Sequence, residues 1–147
     1  LHLLSRRQRQ MCIRDRYKRG VFALDTALFL HDLTDRTPHK FHMAFPYGYN
    51  TSSPKAAGIL CSCKKEPYYS LGIALVDTPA GNTVRAYNAE KTLCEILKPI
   101  SHTDIQIITD AFKRYAGRKD KNIPLLSEYA HQLRVEKRLR PYLEVLL

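Results

Sequence analysis

The sequence predicts an α+β domain, a small mixed or antiparallel sheet followed by a C-terminal set of amphipathic helices. Between Phe41 and Tyr87 short strand-like segments, alternating in 41–45, are set off by turn residues; from Asn88 the apolar positions recur every three or four residues, the period of a helix. The length, 147 residues, suffices for one core that needs neither disulfides nor metal.

The elements follow in order. Residues 22–33 predict a short helix with Asp25 as its N-cap and Ala27, Leu28, Phe29, Leu30 and Leu33 as its apolar side; residues 34–40, containing Pro38, end it. Phe41, Met43 and Phe45 alternate with His42 and Ala44, which predicts a half-buried strand closed by Pro46. Residues 47–57, rich in Gly, Asn, Ser and Pro, predict a loop. Residues 58–63 predict a second strand, and 71–77 and 83–87 a third and fourth joined by a hairpin loop through Thr78-Pro79-Ala80-Gly81-Asn82. The third is apolar nearly throughout, so it is expected at the centre of the sheet.

In the helical part, Ala89, Leu93, Ile96 and Leu97 form one stripe behind an Asn88 cap, stopping at Pro99. Thr103 and Gln106 have capping-box spacing ahead of Ile105, Ile108, Phe112 and Tyr115, with Gly117 expected as a left-handed terminator. A third helix starts near Pro124 and buries Leu125, Leu126, Tyr129 and Leu133. The last runs from about Val135 to the end with Leu139, Tyr142, Leu143 and Leu146; Pro141 inside it either kinks the helix or divides it in two.

The formal charge is +10. Residues 1–16, LHLLSRRQRQMCIRDR, carry five arginines and one aspartate without helical or strand period. RRQRQMCIRD resembles the one-frame translation of a transposase adapter from a sequencing-library kit, and Arg16 fits the codon spanning its last two bases. Leu1 and His2 fit the flow-cell primer that precedes that adapter, with Leu3, Leu4 and Ser5 covering the index between. Residues 1–16 are therefore expected to be an artefactual, disordered segment, set aside before the fold is reasoned about. The folded body is expected at 17–147. Without that segment the charge is +6, all of it accounted for between Lys113 and Arg140, where nine basic residues face Asp120, Glu128 and Glu136.

No apolar run approaches the roughly 20 residues of a spanning helix, and no charged start leads into a cleavable apolar stretch. The expectation is a cytoplasmic protein with no membrane partner. Cys61, Cys63 and Cys94 are an odd set without metal-site spacing, which predicts buried, reduced thiols in a reducing compartment.

A metal-dependent nuclease needs an acid on one strand, then an acid and a lysine one residue apart on the next. Asp77 is available for the first, but Thr83–Tyr87 carries no acid, and Glu90 and Lys91 are adjacent on a helix, pointing different ways. The histidines His31, His39, His42, His102 and His131 lack metal-binding spacing. Ser52, Ser53 and Ser70 lack a nucleophile elbow, and six scattered glycines make no phosphate loop. The expectation is a non-enzymatic domain without catalytic residues, metal or cofactor. Two basic clusters remain: Lys113, Arg114, Arg118, Lys119 and Lys121 around one helix end, and Arg134, Lys137, Arg138 and Arg140 beyond it. Each alone suits a solvated helix face; together, with little compensating acid, they make a candidate surface for backbone phosphates or an acidic partner.

From Arg19 to Leu147 the segments RGVFALDTALFLHDLTDRTPHKFHMAFPYGYN, VRAYNAEKTLCEIL and DIQIITDAFKRYAGRKDKNIPLLSEYAHQLRVEKRLRPYLEVLL closely resemble the AbiEi family of bacterial antitoxins. The resemblance implies a type IV toxin–antitoxin partner, a nucleotidyltransferase toxin that the antitoxin counteracts without forming a stable complex, and repression of the pair's own promoter. It also implies an N-terminal winged helix-turn-helix ahead of this domain. Only Tyr17–Gly20 of that junction remain, so the winged helix is missing and sequence-specific operator reading is expected to be absent. The other expectation is a non-catalytic DNA-binding accessory domain of a transcriptional regulator.

Overall fold

A computed structural model describes residues 15–78 and 81–146, and among these described residues it has five short strands and six complete α-helices. The arginine-rich start up to residue 14, including Met11 and Cys12, and the Pro79-Ala80 pair of the hairpin lie outside the described residues. The α+β class is the one expected from the change of period, and the sheet is mixed. The chain divides into two compact units, one taking the residues up to Ala23 with Lys40–Tyr87, the other Leu24–His39 with the chain from Asn88 onward.

The first unit is the sheet. Its strands are β1 (Val21–Phe22), β2 (His42–Pro46), β3 (Leu60–Lys64), β4 (Ile73–Asp77) and β5 (Thr83–Tyr87), in the order β3-β2-β1-β5-β4. β1 runs antiparallel to β2 and parallel to β5, β2 parallel to β3, and β4 antiparallel to β5. Three expectations need correction. Residues 21–22 pair as a strand where a helix start was expected, because a two-residue strand has no period to read. β2 is buried on both faces, Met43 and Phe45 on one and Ala44 on the other, where alternation with His42 and Ala44 predicted a half-buried strand; alanine is too small and too weakly polar for the alternation to identify a solvent face. β4 is an edge strand and leaves Leu75 72% exposed; its apolar composition misplaced it at the centre, since strand order is a non-local property.

The β4–β5 hairpin forms as expected, with the Thr78 N–H donating to Asn82 O at 2.7 Å and Gly81 at φ 84°. The Tyr47–Ala57 loop contains a short helix, α2 (Ser52–Ala56). Aromatic contacts bind this unit: Phe22 against Phe41 edge-on at 5.8 Å and Phe45 stacked on Tyr49 at 4.7 Å. Of the strand cysteines, Cys61 is partly exposed and Cys63 exposed, contrary to the expected burial, because β3 is the other sheet edge.

The second unit is helical. It contains α1 (Leu24–Leu30), α3 (Ala89–Ile96), a 3-10 turn (Pro99–Ser101), α4 (Ile105–Ala116), α5 (Ile123–Gln132) and α6 (Glu136–Leu146). The α1 segment thus belongs with the C-terminal helices rather than with the strands that flank it in sequence. Asp25 lies within the first turn of α1 rather than capping it. The helix ends in a left-handed Asp32, φ 58°, with Leu33 N–H donating to Leu28 O at 2.9 Å, which satisfies an orphan carbonyl.

Asn88 caps α3 as expected, its Oδ1 accepting from the Lys91 N–H at 2.8 Å. The expected single stripe is wrong, however: all eight residues of α3 are buried, because α1, α4 and α5 all pack on it. For α4 the cap is Asp104, which accepts from Gln106 N–H at 2.8 Å, and Thr103 instead bonds the Ser101 hydroxyl. Ile105 stays 63% exposed, and Gly117 ends α4 at φ −82°, not left-handed. α5 begins over Pro124, capped by Asn122, and α6 continues through Pro141 as one helix. Phe112 of α4 stacks on Tyr142 of α6 at 4.4 Å. No helix among the described residues is long and apolar enough to cross a membrane.

Candidate nucleic-acid or partner interface

Both basic clusters fall in the helical unit. α4 buries Ile108, Ala111, Phe112 and Tyr115, so the positions between them face outward and carry Lys113 and Arg114. Lys113 is exposed and borders a shallow hollow of about 310 Å³ with Ile105, Gln106 and Asp110. Arg114 is already engaged: its Nε donates to Asp110 Oδ2 at 2.9 Å, and its Nη2 lies 3.7 Å from Asp35.

In the loop after Ala116, Arg118 donates from Nε and Nη2 to the two Asp120 carboxylate oxygens at 2.9 and 2.8 Å, and from Nη1 to His31 O at 3.0 Å. The hydrogen bond to Asp120 holds Arg118 above its ordinary pKa, and the same bond holds the Asp120 carboxyl below its own. Lys121 Nζ donates to Ala116 O at 2.9 Å at the negative end of α4. Lys119 is exposed. The first cluster is therefore largely spent on closing the α4–α5 loop, and only Lys113 and Lys119 have no ion pair or hydrogen bond among the described residues.

The second cluster differs. Arg134 sits at the turn between α5 and α6 in the left-handed conformation, φ 60°, with Val135 N–H donating to Ala130 O at 2.9 Å. Lys137, Arg138 and Arg140 follow on α6, all exposed. The nearby Glu136 is taken by His131, Nδ1 to Oε1 at 2.9 Å. Among the described residues no carboxylate pairs with Arg134, Lys137, Arg138 or Arg140. Uncompensated exposed cations are what a phosphate backbone or an acidic surface recognises, so this cluster carries the candidate interface.

Sequence reasoning missed the charged interior of α3. Lys91 is fully buried, with Nζ 3.2 Å from Glu95 Oε1. Glu90 accepts a hydrogen bond from the Tyr115 hydroxyl, which itself accepts from the Asn122 N–H at 2.7 Å. Burial first, and the Glu90 hydrogen bond second, raise the Tyr115 pKa. Burial also pushes the Cys94 thiol up to about 12, and its Sγ donates to Leu126 O at 3.6 Å. In the sequence Glu90 and Lys91 are merely adjacent charges on a helix, and nothing local signals that other helices cover them.

Asp77, the one strand acid weighed for nuclease chemistry, is exposed at the end of β4 and paired in register with Thr83. No group of three or more His, Cys, Asp or Glu among the described residues is placed to hold a metal ion. Compared with known proteins, the chain matches no family model and no curated protein.

Proposed function

We propose that this chain is the C-terminal, non-enzymatic part of an AbiEi-type antitoxin. On this reading it counteracts a nucleotidyltransferase toxin in the cytoplasm, as in abortive-infection defence against phage, without forming a stable complex with it. Joined to its winged helix, it also represses transcription of its own promoter. One observation carries the reading. The segments VRAYNAEKTLCEIL and FKRYAGRKDKNIPLL, which bear the resemblance, meet in the fold through residues specific to them: Tyr115 links Glu90 of the first to Asn122 of the second. The link joins Glu90 and Asn122 within the helical unit, which supports reading the two segments as parts of one domain.

The unpaired cations of Arg134, Lys137 and Arg138 favour a second reading, a non-catalytic DNA-binding accessory domain of a transcriptional regulator. Co-expression with a type IV nucleotidyltransferase toxin separates the two. The antitoxin reading expects growth to resume in cells making this chain, alone or with a winged helix restored. Continued arrest in both arrangements contradicts it and leaves the accessory-domain reading.

A further inference from the structure

We propose that the sheet unit holds a small amphiphilic organic anion, a carboxylate on a short apolar chain, in the hollow beside Arg85. β4 and β5 pair with Leu75 opposite Arg85 and Asp77 opposite Thr83, so Leu75, Thr83 and Arg85 share one face of the sheet. A cavity of about 250 Å³ opens there, and it reaches down to Phe22 and Met43, which are otherwise buried. Leu75, 72% exposed, gives it an apolar wall that the fold itself does not use.

The polar end of this cavity is Arg85. Its Nη1 donates to Lys18 O at 2.7 Å and its Nη2 to the Tyr69 hydroxyl at 3.3 Å, and Tyr69 in turn donates to Arg19 O. The guanidinium is therefore held in one orientation by neutral acceptors, with no carboxylate at ion-pair distance among the described residues. Two of its five N–H donors are used, and the remainder suit a bidentate oxyanion. Both partners are neutral oxygens, so the positive charge of the guanidinium is not offset by them. A pre-oriented cation at one end and an apolar wall at the other are the elements of a site for a small amphiphile. Asp15 also lines the cavity and opposes an anion; it lies in the stretch that resembles a translated adapter. This inference does not depend on the antitoxin reading.

The test is a titration of the full chain with octanoate, followed by calorimetry and by the Met43 and Leu75 methyl signals. Saturable one-to-one binding is expected, at least tenfold tighter than for acetate or octanol, and tighter still in Asp15→Asn. Arg85→Gln and Leu75→Glu should each weaken it tenfold or more. Leu75→Glu changes an exposed side chain and keeps the melting midpoint, so it decides the matter should Arg85→Gln fail to fold. Absence of saturable binding, equal affinity for octanol, or an affinity unchanged in Leu75→Glu overturns the proposal.

Discussion

Arg134 turns the chain from α5 into α6 with φ at 60°, a conformation that costs a side-chain-bearing residue roughly 1 kcal/mol relative to glycine. Arg134→Gly should therefore raise the urea midpoint, by about 1 kcal/mol of stability, while removing one cation from the candidate interface; a lowered midpoint would show that the arginine side chain stabilises the turn. At Tyr115 the direction reverses. Tyr115→Phe removes the hydroxyl that donates to buried Glu90 and accepts from the Asn122 N–H, leaving both without this partner. The expected loss is about 2–3 kcal/mol, read from the same unfolding curves. Cys94 sets an alkaline limit. Its folded thiol titrates at about 12, against the ordinary 9.0, so above pH 9 the unfolded chain releases a proton that the folded chain retains. Stability contributed by this group is present below pH 9 and falls as pH rises toward 12, and Cys94→Ala should flatten that fall between pH 9 and 11. Tyr115 acts in the same sense, so the slope should diminish rather than vanish.

At the scale of the element, α3 is the clearest case, a helix buried all round that carries an internal ion pair between Lys91 and Glu95. Lys91→Met alone should cost about 3–5 kcal/mol, because it leaves a buried carboxylate without its cation. Replacing both with apolar residues, Lys91→Met with Glu95→Leu, should cost much less; equal losses for the single and double replacements would mean that the pair contributes little. Most elements were legible in the sequence because their determinants are local: Asn88 at its cap position, Pro124 in a first turn, the Gly81 hairpin, the stripe of Ile108, Phe112 and Tyr115. What was not legible is non-local. β1 is two residues long and exists only through its pairing with β2 and β5; β4 reads as a central strand but lies at the edge; and the burial of α3 depends on α1 and α5, distant in sequence, together with the neighbouring α4. The same holds for the candidate interface. Its cations were visible as charges, but the capture of Arg114 by Asp110 and Asp35 and of Arg118 by Asp120 depends on geometry that composition does not contain.

For the whole molecule, the helical unit carries on α6 and at the turn before it a run of exposed cations, Arg134, Lys137, Arg138 and Arg140, with no carboxylate partner among the described residues. Binding to unrelated duplex DNA should be weak and steeply salt-dependent, each lost phosphate contact lowering the slope of log affinity against log salt by about 0.9. Arg138→Glu should reduce both affinity and slope, whereas Arg114→Glu, already neutralised by two aspartates, should change them less. The central proposal, that this protein is an antitoxin without chemistry of its own, is tested most directly by plating efficiency. Cells induced for a type IV nucleotidyltransferase toxin are plated with and without the chain, the winged helix restored in a parallel strain. The account predicts recovery of colonies by orders of magnitude, retained in Asp77→Asn; colony counts no higher than with toxin alone in both strains would contradict it.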